Sequence, residues 1–269
     1  MNRQWLAEGP LRPLALRVLQ KFNPGDIHIW HPYFPRKVRL HSFRHKGYWF
    51  YRSDRERETS EFYIRAIAPT DLVVEVGAHI GFQTLHFAAL VAQGEVVAFE
   101  PGSNNLPYCL HNCAGVANVE VRRMAVGKST GTATFYEDNV TGQNNSLTEI
   151  GREFALDTAK SSHFAGITLT PTTVQVTTLD HEFADRFVQF IKVDVEGGEA
   201  DVIAGGLELI DRSHPTMMIE VAADNRDYLW QVLVDDRGYE VRKPNGTSIS
   251  SADDMNDNTT FTHPDGPMR

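Results

Sequence analysis

Leu72-Val73-Val74-Glu75-Val76 is apolar and mostly β-branched, as expected of a central parallel strand covered on both faces. Gly77 and Gly81 bracket a tight turn, and a helix is predicted from Phe82 to about Val91. A second strand, Glu95 to Phe99, ends in Glu100-Pro101, and a third is predicted at Val119 to Arg122. The run Phe190-Ile191-Lys192-Val193-Asp194-Val195-Glu196 reads as a buried strand ending in charge, then turns on Gly197 and Gly198 to Glu199. Beyond it, Ala200 to Ile210 reads as a helix, Thr216 to Val221 as a strand and Asp224 to Val234 as a helix. Tyr239 to Arg242 and Thr259 to Thr262 are predicted as the last two strands, and Pro264 to Arg269 as a frayed tail. Alternating strands and helices of this kind predict an α/β chain with helices on both faces of a largely parallel sheet.

Ahead of that alternation lies a segment rich in aromatics, with strands predicted at Ile27 to Trp30, Val38 to Phe43 and Tyr48 to Arg52. Trp5 to Phe22 has amphipathic helical character that Pro10 and Pro13 confine to its later part. Residues 1–65 are therefore expected to form a small β-rich amino-terminal extension, and 66–269 the main domain. Within the latter, 138–178 reads as a variable insertion. It follows a β-rich run from Gly131 to Glu137, and its first part, Asp138 to Ser146, has loop composition. Leu147 to Ala165 is compatible with helix, and Ile167 to Thr178 reads as extended chain around Pro171.

The strand ends carry the chemistry. Strand alternation puts Lys192 and Asp194 on one face, where burial is costly unless they pair or serve a site. In open α/β sheets ligands sit at the carboxyl ends of strands, which is where Asp194 and Glu196 fall. Glu100 follows the first glycine turn at about the 20-residue spacing expected of a ribose-binding acid. A dinucleotide turn wants a second glycine for close approach of pyrophosphate, yet His79 occupies that position. No Walker-type phosphate loop occurs. An adenosyl ligand without phosphate, S-adenosylmethionine, is the reading that remains.

The same residues resemble the FkbM-type S-adenosylmethionine-dependent methyltransferases. The likeness runs from about Leu72 to Val221 through an ordered set of pieces. These are Glu75-Val76-Gly77-Ala78-His79-Ile80-Gly81, Ala98-Phe99-Glu100-Pro101 followed by Asn104 or Asn105 and by Asn112, Ala125-Val126-Gly127, Phe190 to Glu199 with Val202 and Gly205-Gly206, and Ile219-Glu220. Glu75 stands where the family more often has aspartate, and His79 where asparagine is common. The resemblance implies a class I methyltransferase Rossmann-like sheet whose last strand is antiparallel. It further implies cofactor contacts at Glu75, Gly77, Ala78, His79, Gly81, Glu100, Pro101, Met124, Ala125 and Asp194, with Glu100 on the ribose hydroxyls. O-methylation of a sugar or natural-product hydroxyl is the expected reaction. Asp194 is the leading candidate base, and Glu196 and His79 are further catalytic candidates. An N-methyltransferase and a catalytically silent S-adenosylmethionine-binding module are the alternatives.

Composition changes the picture little. The chain has 269 residues, 41% of them hydrophobic, enough for a sizeable core. Its net charge is −9, but residues 1–65 hold 13 basic and 6 acidic residues, so the remainder is strongly acidic. The basic segment reads as a solvated face. Cys109 and Cys113 fit reduced thiols on a helix. His86 and His181 are expected at packing or surface positions, and Glu199 in favourable contact with a helix dipole. No metal site, nucleic-acid partner or integral membrane segment is expected, the acceptor being a small molecule or glycan, and a cytoplasmic location is the default.

Overall fold

The structure, a computed structural model, describes residues 18–19, 21–51, 57–139, 142, 145–147 and 168–267. The chain opens with a hairpin, β1 (Asp26–His31) and β2 (Phe34–His41), followed by α1 (Lys46–Tyr51) and α2 (Arg57–Ala66). β3 (Leu72–Val76), α3 (Phe82–Leu90), β4 (Glu95–Phe99), α4 (Leu106–Cys113) and β5 (Val119–Arg122) come next. Three further strands, β6 (Ala125–Val126), β7 (Gly131–Asp138) and β8 (Leu169–Thr177), precede α5 (Leu179–Glu182) and β9 (Phe190–Val193). The chain ends with α6 (Glu199–Ala204), α7 (Leu207–Ser213), β10 (Thr216–Val221), α8 (Arg226–Leu229), β11 (Glu240–Arg242) and β12 (Asp257–Thr262).

Seven strands form the central sheet in the order β11-β12-β10-β9-β3-β4-β5. β12 runs antiparallel to both its neighbours, whereas β10, β9, β3, β4 and β5 are parallel. This is the sheet expected from the resemblance to class I methyltransferases, antiparallel last strand included. The order reverses between β3 and β9, because the chain winds outward through β4 and β5 before returning to the other side of β3. A crevice at the carboxyl ends of the strands follows from that reversal.

Alternation along the strands divides the core. Leu72, Val74, Val76, Ile191 and Val193 pack with residues of α6 and α7 on one face. Val73, Val96, Phe190 and Met218 meet Tyr63 of α2 and Phe87 of α3 on the other. The amino-terminal hairpin places Phe34, Val38 and Leu40 against Phe82 and Leu85 of α3 and Cys109 and Cys113 of α4. Both cysteines are free and buried. Among the described residues, no helix is long and apolar enough to cross a membrane.

Several expectations need correction. Tyr48 to Tyr51 is helical, not a strand. Local hydrogen bonds to histidine make the turn before it: His41 Nδ1 accepts from the backbone N–H of Phe43 and Arg44. The Trp49 indole then donates to the Ser42 carbonyl at 2.7 Å, so tertiary contacts override β propensity. The second strand begins earlier, at Phe34, and stops at His41. Ala200 to Ile210 is two helices, broken at Gly205-Gly206, where the backbone passes so close to Gly127 that a Cβ on Gly205 would lie 2.1 Å from its carbonyl oxygen. Asp224 to Val234 is irregular, passing from a 3₁₀ turn through α8 into a π-helical segment, Trp230–Asp235. The tail is ordered as far as residue 267: Gly266 N–H donates to the His263 carbonyl, and the His263 ring stacks on His214 at 4.1 Å. The helices expected within Trp5 to Phe22 and Leu147 to Ala165 fall largely outside the described residues.

Gly205→Ala should test the close packing of this break. Its φ of −85° suits any residue, so the cost comes from the Gly127 contact alone. Destabilisation of about 2 kcal/mol or more is expected, seen as a melting temperature lower by roughly 4–8 °C.

Candidate active site

The crevice at the carboxyl ends of β3, β4, β9 and β10 encloses a cavity of about 510 Å³, within the ordinary range for small-molecule sites. Its cradle is the turn after β3. Gly77 has φ +91°, and a Cβ there would lie 1.8 Å from the Asp194 carbonyl oxygen. The adjacent N–H groups of Gly77 and Ala78 both donate to the Phe99 carbonyl at 3.0 Å. Glycine is thus required by backbone contact between the ends of β3 and β9, not by turn conformation alone. His79 follows at φ +52°, a left-handed conformation in which histidine and asparagine are enriched among non-glycine residues. That shared tolerance explains how His79 can stand where asparagine is common.

Glu100, at the end of β4, faces the cavity and is 4% exposed. Its two carboxylate oxygens accept from the His79 N–H at 2.7 Å and the Gly102 N–H at 2.8 Å. Burial pushes the Glu100 carboxyl up to about 8, outweighing these hydrogen bonds and that of Asn105.

Glu75 and Lys192 are partners in the β3–β9 register and share a face. Glu75 lies beneath the cavity, 1% exposed, with Oε2 accepting from the Thr84 hydroxyl at 2.5 Å. The Lys192 ammonium sits 3.9 Å from Glu75 Oε1 and donates to Asp194 Oδ2 at 2.9 Å. Burial opposes the ammonium, but the charges of Asp194 and Glu75 hold Lys192 well above its ordinary value. Burial likewise pushes Glu75 up to about 7 despite Lys192. Asp194 behaves oppositely: burial raises it, yet the Lys192 ammonium and hydrogen bonds from Lys192 and Glu220 hold it below its usual value. The Asp194 charge, followed by burial and Glu196, pushes Glu220 up to about 9. A neutral Glu220 carboxyl therefore donates to an ionised Asp194.

Glu196 also lines the cavity, and its backbone is strained at φ +52°. The Ser146 hydroxyl holds it there by donating to its carbonyl at 2.8 Å. Burial first, then the charges of Asp194 and Glu199, push Glu196 up to about 8. Glu199 is turned away into structural work, accepting from Gly197 N–H at 2.8 Å and from the Asn225 amide.

Of the residues expected from sequence, Gly77, His79, Glu100, Pro101, Met124, Ala125, Asp194 and Glu196 line one cavity. Glu75, Ala78 and Gly81 lie behind it: Glu75 supports Lys192, Ala78 is buried, and Gly81 packs against Cys109 and Cys113. His86 is buried and stacked on Tyr33 at 4.4 Å, and His181 is exposed. Sequence reasoning missed Tyr48, Asn105, Asp257 and Asn258 as wall residues. The last two sit at the carboxyl edge because β12 is antiparallel: Asn258 pairs with Glu220 and Asp257 with Val221. The donor set fits an adenosyl ligand: a carboxylate at the end of β4, a glycine turn held open by backbone contact, and apolar wall from Phe99 and Met124.

The raised carboxyls in and beneath the cavity give the protein a pH signature. Glu75, Glu100, Glu196 and Glu220 keep protons in the folded state that the unfolded chain releases near its ordinary glutamate value. Their contribution to stability is complete below that value and is lost as pH rises through about 7 to 9. Without ligand, the melting temperature should fall between about pH 5 and pH 9, and Glu220→Gln should flatten the alkaline part of that fall.

The FkbM methyltransferase domain family matches residues 75–244, the stretch that holds every strand end described above except β12. No curated protein matches the chain. Among solved structures, a methyltransferase FkbM from Methylobacillus flagellatus KT shares 16% identity with a TM-score of 0.47, over 96% of this chain and 60% of that one. An rRNA methylase from Streptococcus thermophilus shares 12% over 76% of this chain and 91% of that one, with a TM-score of 0.40. A precorrin-6y C5,15-methyltransferase from Geobacter metallireducens GS-15 shares 14% over 77% and 86%, with a TM-score of 0.41. The chain thus spans about 60% of the length of the first of these. With the family match covering well over half its length, the chain belongs to the FkbM methyltransferase family.

Proposed function

We propose that the protein methylates a hydroxyl oxygen of an uncharged, polyhydroxylated acceptor such as a sugar or natural product. The observation that carries this reading is the convergence of Asp194, Glu196 and Glu220 on the cavity beside Lys192. A hydroxyl is a poor nucleophile until a base takes its proton, whereas a neutral amine needs no such help. S-adenosylmethionine, when bound, supplies a methyl group on a good leaving group. The protein is left to hold the acceptor in line, exclude water and receive one proton.

In this reading Glu100 holds the ribose hydroxyls with acceptor sites left over from its backbone hydrogen bonds, while Met124, Ala125 and Phe99 wall the adenine. Gly77, Ala78 and His79 form the turn over which the cofactor lies, with Pro101 beside it. Glu75 acts at one remove, by keeping Lys192 in place. Asp194, held low by Lys192, is a weak base and is better suited to orienting the acceptor hydroxyl. Glu196, raised to about 8, is matched to proton removal near neutral pH. The base role foreseen for Asp194 thus passes to Glu196, for the reason that a paired carboxylate has little proton affinity to offer.

Glu100→Ala should weaken S-adenosylmethionine binding by about tenfold, the worth of one hydrogen bond, as read by calorimetry. Glu196→Gln should bind the cofactor normally yet lower kcat on hydroxyl acceptors by about 100-fold. It should also abolish the rise of kcat/KM with pH near 8. Full turnover in Glu196→Gln together with loss in Asp194→Asn would return the base role to Asp194. Methylation of amine acceptors alone would favour the N-methyl reading.

A further inference from the structure

We propose that Tyr48, from the amino-terminal segment, positions the imidazole of His79 and so makes that segment part of the methyl-transfer site. The Tyr48 hydroxyl lies 3.1 Å from His79 Nδ1, and the two rings stack at 6.0 Å with 21° between their planes. Tyr48 is 8% exposed and lines the cavity. Its ring is anchored independently against Phe82 at a centroid distance of 4.6 Å. The hydroxyl is therefore not needed to seat the ring.

His79 is tied on two sides. Its backbone N–H is fixed by Glu100 at 2.7 Å, on the cofactor side. Its ring meets the amino-terminal segment through Tyr48 and through His45, whose ring stands edge-on at 5.2 Å. His45 is itself seated, its Nδ1 accepting from the His41 N–H at 3.0 Å. Among the described residues, the charged and titratable groups facing the His79 ring include Tyr48, His45 and, across the cavity, Asp194. A hydrogen bond at Nδ1 selects the imidazole tautomer as well as its orientation. Tyr48 acts through His79 and is a positioning residue. Its catalytic consequence rests on the methyl-transfer reading above; the geometry does not.

Tyr48→Phe keeps the ring and removes the hydroxyl. In ¹⁵N-histidine NMR of the full chain, the imidazole resonances that vanish in His79→Asn should shift in Tyr48→Phe, showing a changed tautomer balance. S-adenosylmethionine affinity should stay within about twofold, while kcat/KM for the acceptor falls about tenfold, the worth of one hydrogen bond. In the His79→Asn background, where asparagine accepts the left-handed backbone, adding Tyr48→Phe should cost nothing more. Unshifted His79 resonances, or an equal cost of Tyr48→Phe in both backgrounds, would overturn the proposal. Shifted resonances in a protein that methylates no acceptor would support the positioning and count against the reaction assigned above.

Discussion

Lys192 is the charge on which the site depends. It lies on a central strand, 5% exposed, between Glu75 on β3 and Asp194 at the end of its own strand. A buried ammonium with no partner would be prohibitively costly, and so would the two carboxylates without it. Its presence therefore requires both acids, and the register that puts Glu75 opposite Lys192 secures one of them through the sheet itself. Gly77 completes the constraint: only a residue without a side chain lets the chain leave β3 so close to Asp194.

From that ion pair the remaining protonation states follow in order. Asp194 is ionised because Lys192 compensates it. Its charge keeps a proton on Glu220, and burial, with the charges of Asp194 and Glu199, hinders ionisation of Glu196. A cavity lined by several acids thus carries less negative charge than its composition implies. One acid is fixed as an anion, one as a donor, and one is poised between. Environment, not residue type, separates three similar side chains.

Much of this was legible in the sequence because the decisive segments are local. A β-branched run, a glycine turn and a terminal acid lie within a few residues of one another in β3, β4 and β9, and strand alternation alone puts Lys192 beside Asp194. Hidden features depend on long-range placement. Asp257 and Asn258 are more than 30 residues from Glu220 in sequence and reach the cavity because β12 is inserted antiparallel. Tyr48 was misread as strand because a run of consecutive aromatics after the Lys46-Gly47 turn fits a strand as well as a short helix, and histidine-capped turn geometry settled the choice. Glu75 was placed among cofactor contacts on resemblance, yet a residue inside the strand, one step before the turn, points into the α3 face toward Thr84. The left-handed backbone of Glu196 had no sequence signal, since glutamate is not a residue expected there.

The same electrostatic arrangement bears on the acceptor. Glu100, Asp194, Glu196, Glu220 and Asp257 line the cavity against Lys192, and Lys192 is committed to Glu75 and Asp194. A phosphate or carboxylate group entering this space would meet the ionised Asp194, and the described lining offers it no cation beyond the committed Lys192; like-charge contact in a shielded cavity costs far more than in water. A polyhydroxylated acceptor faces no such penalty, because carboxylates accept hydrogen bonds from hydroxyls on several sides. A positively charged ligand in the cavity would lower the proton affinity of the acids that line it, Glu196 included. Cofactor binding would then shift the poised acid toward its basic form before the acceptor arrives, an ordering that the charge balance favours without any movement of the fold.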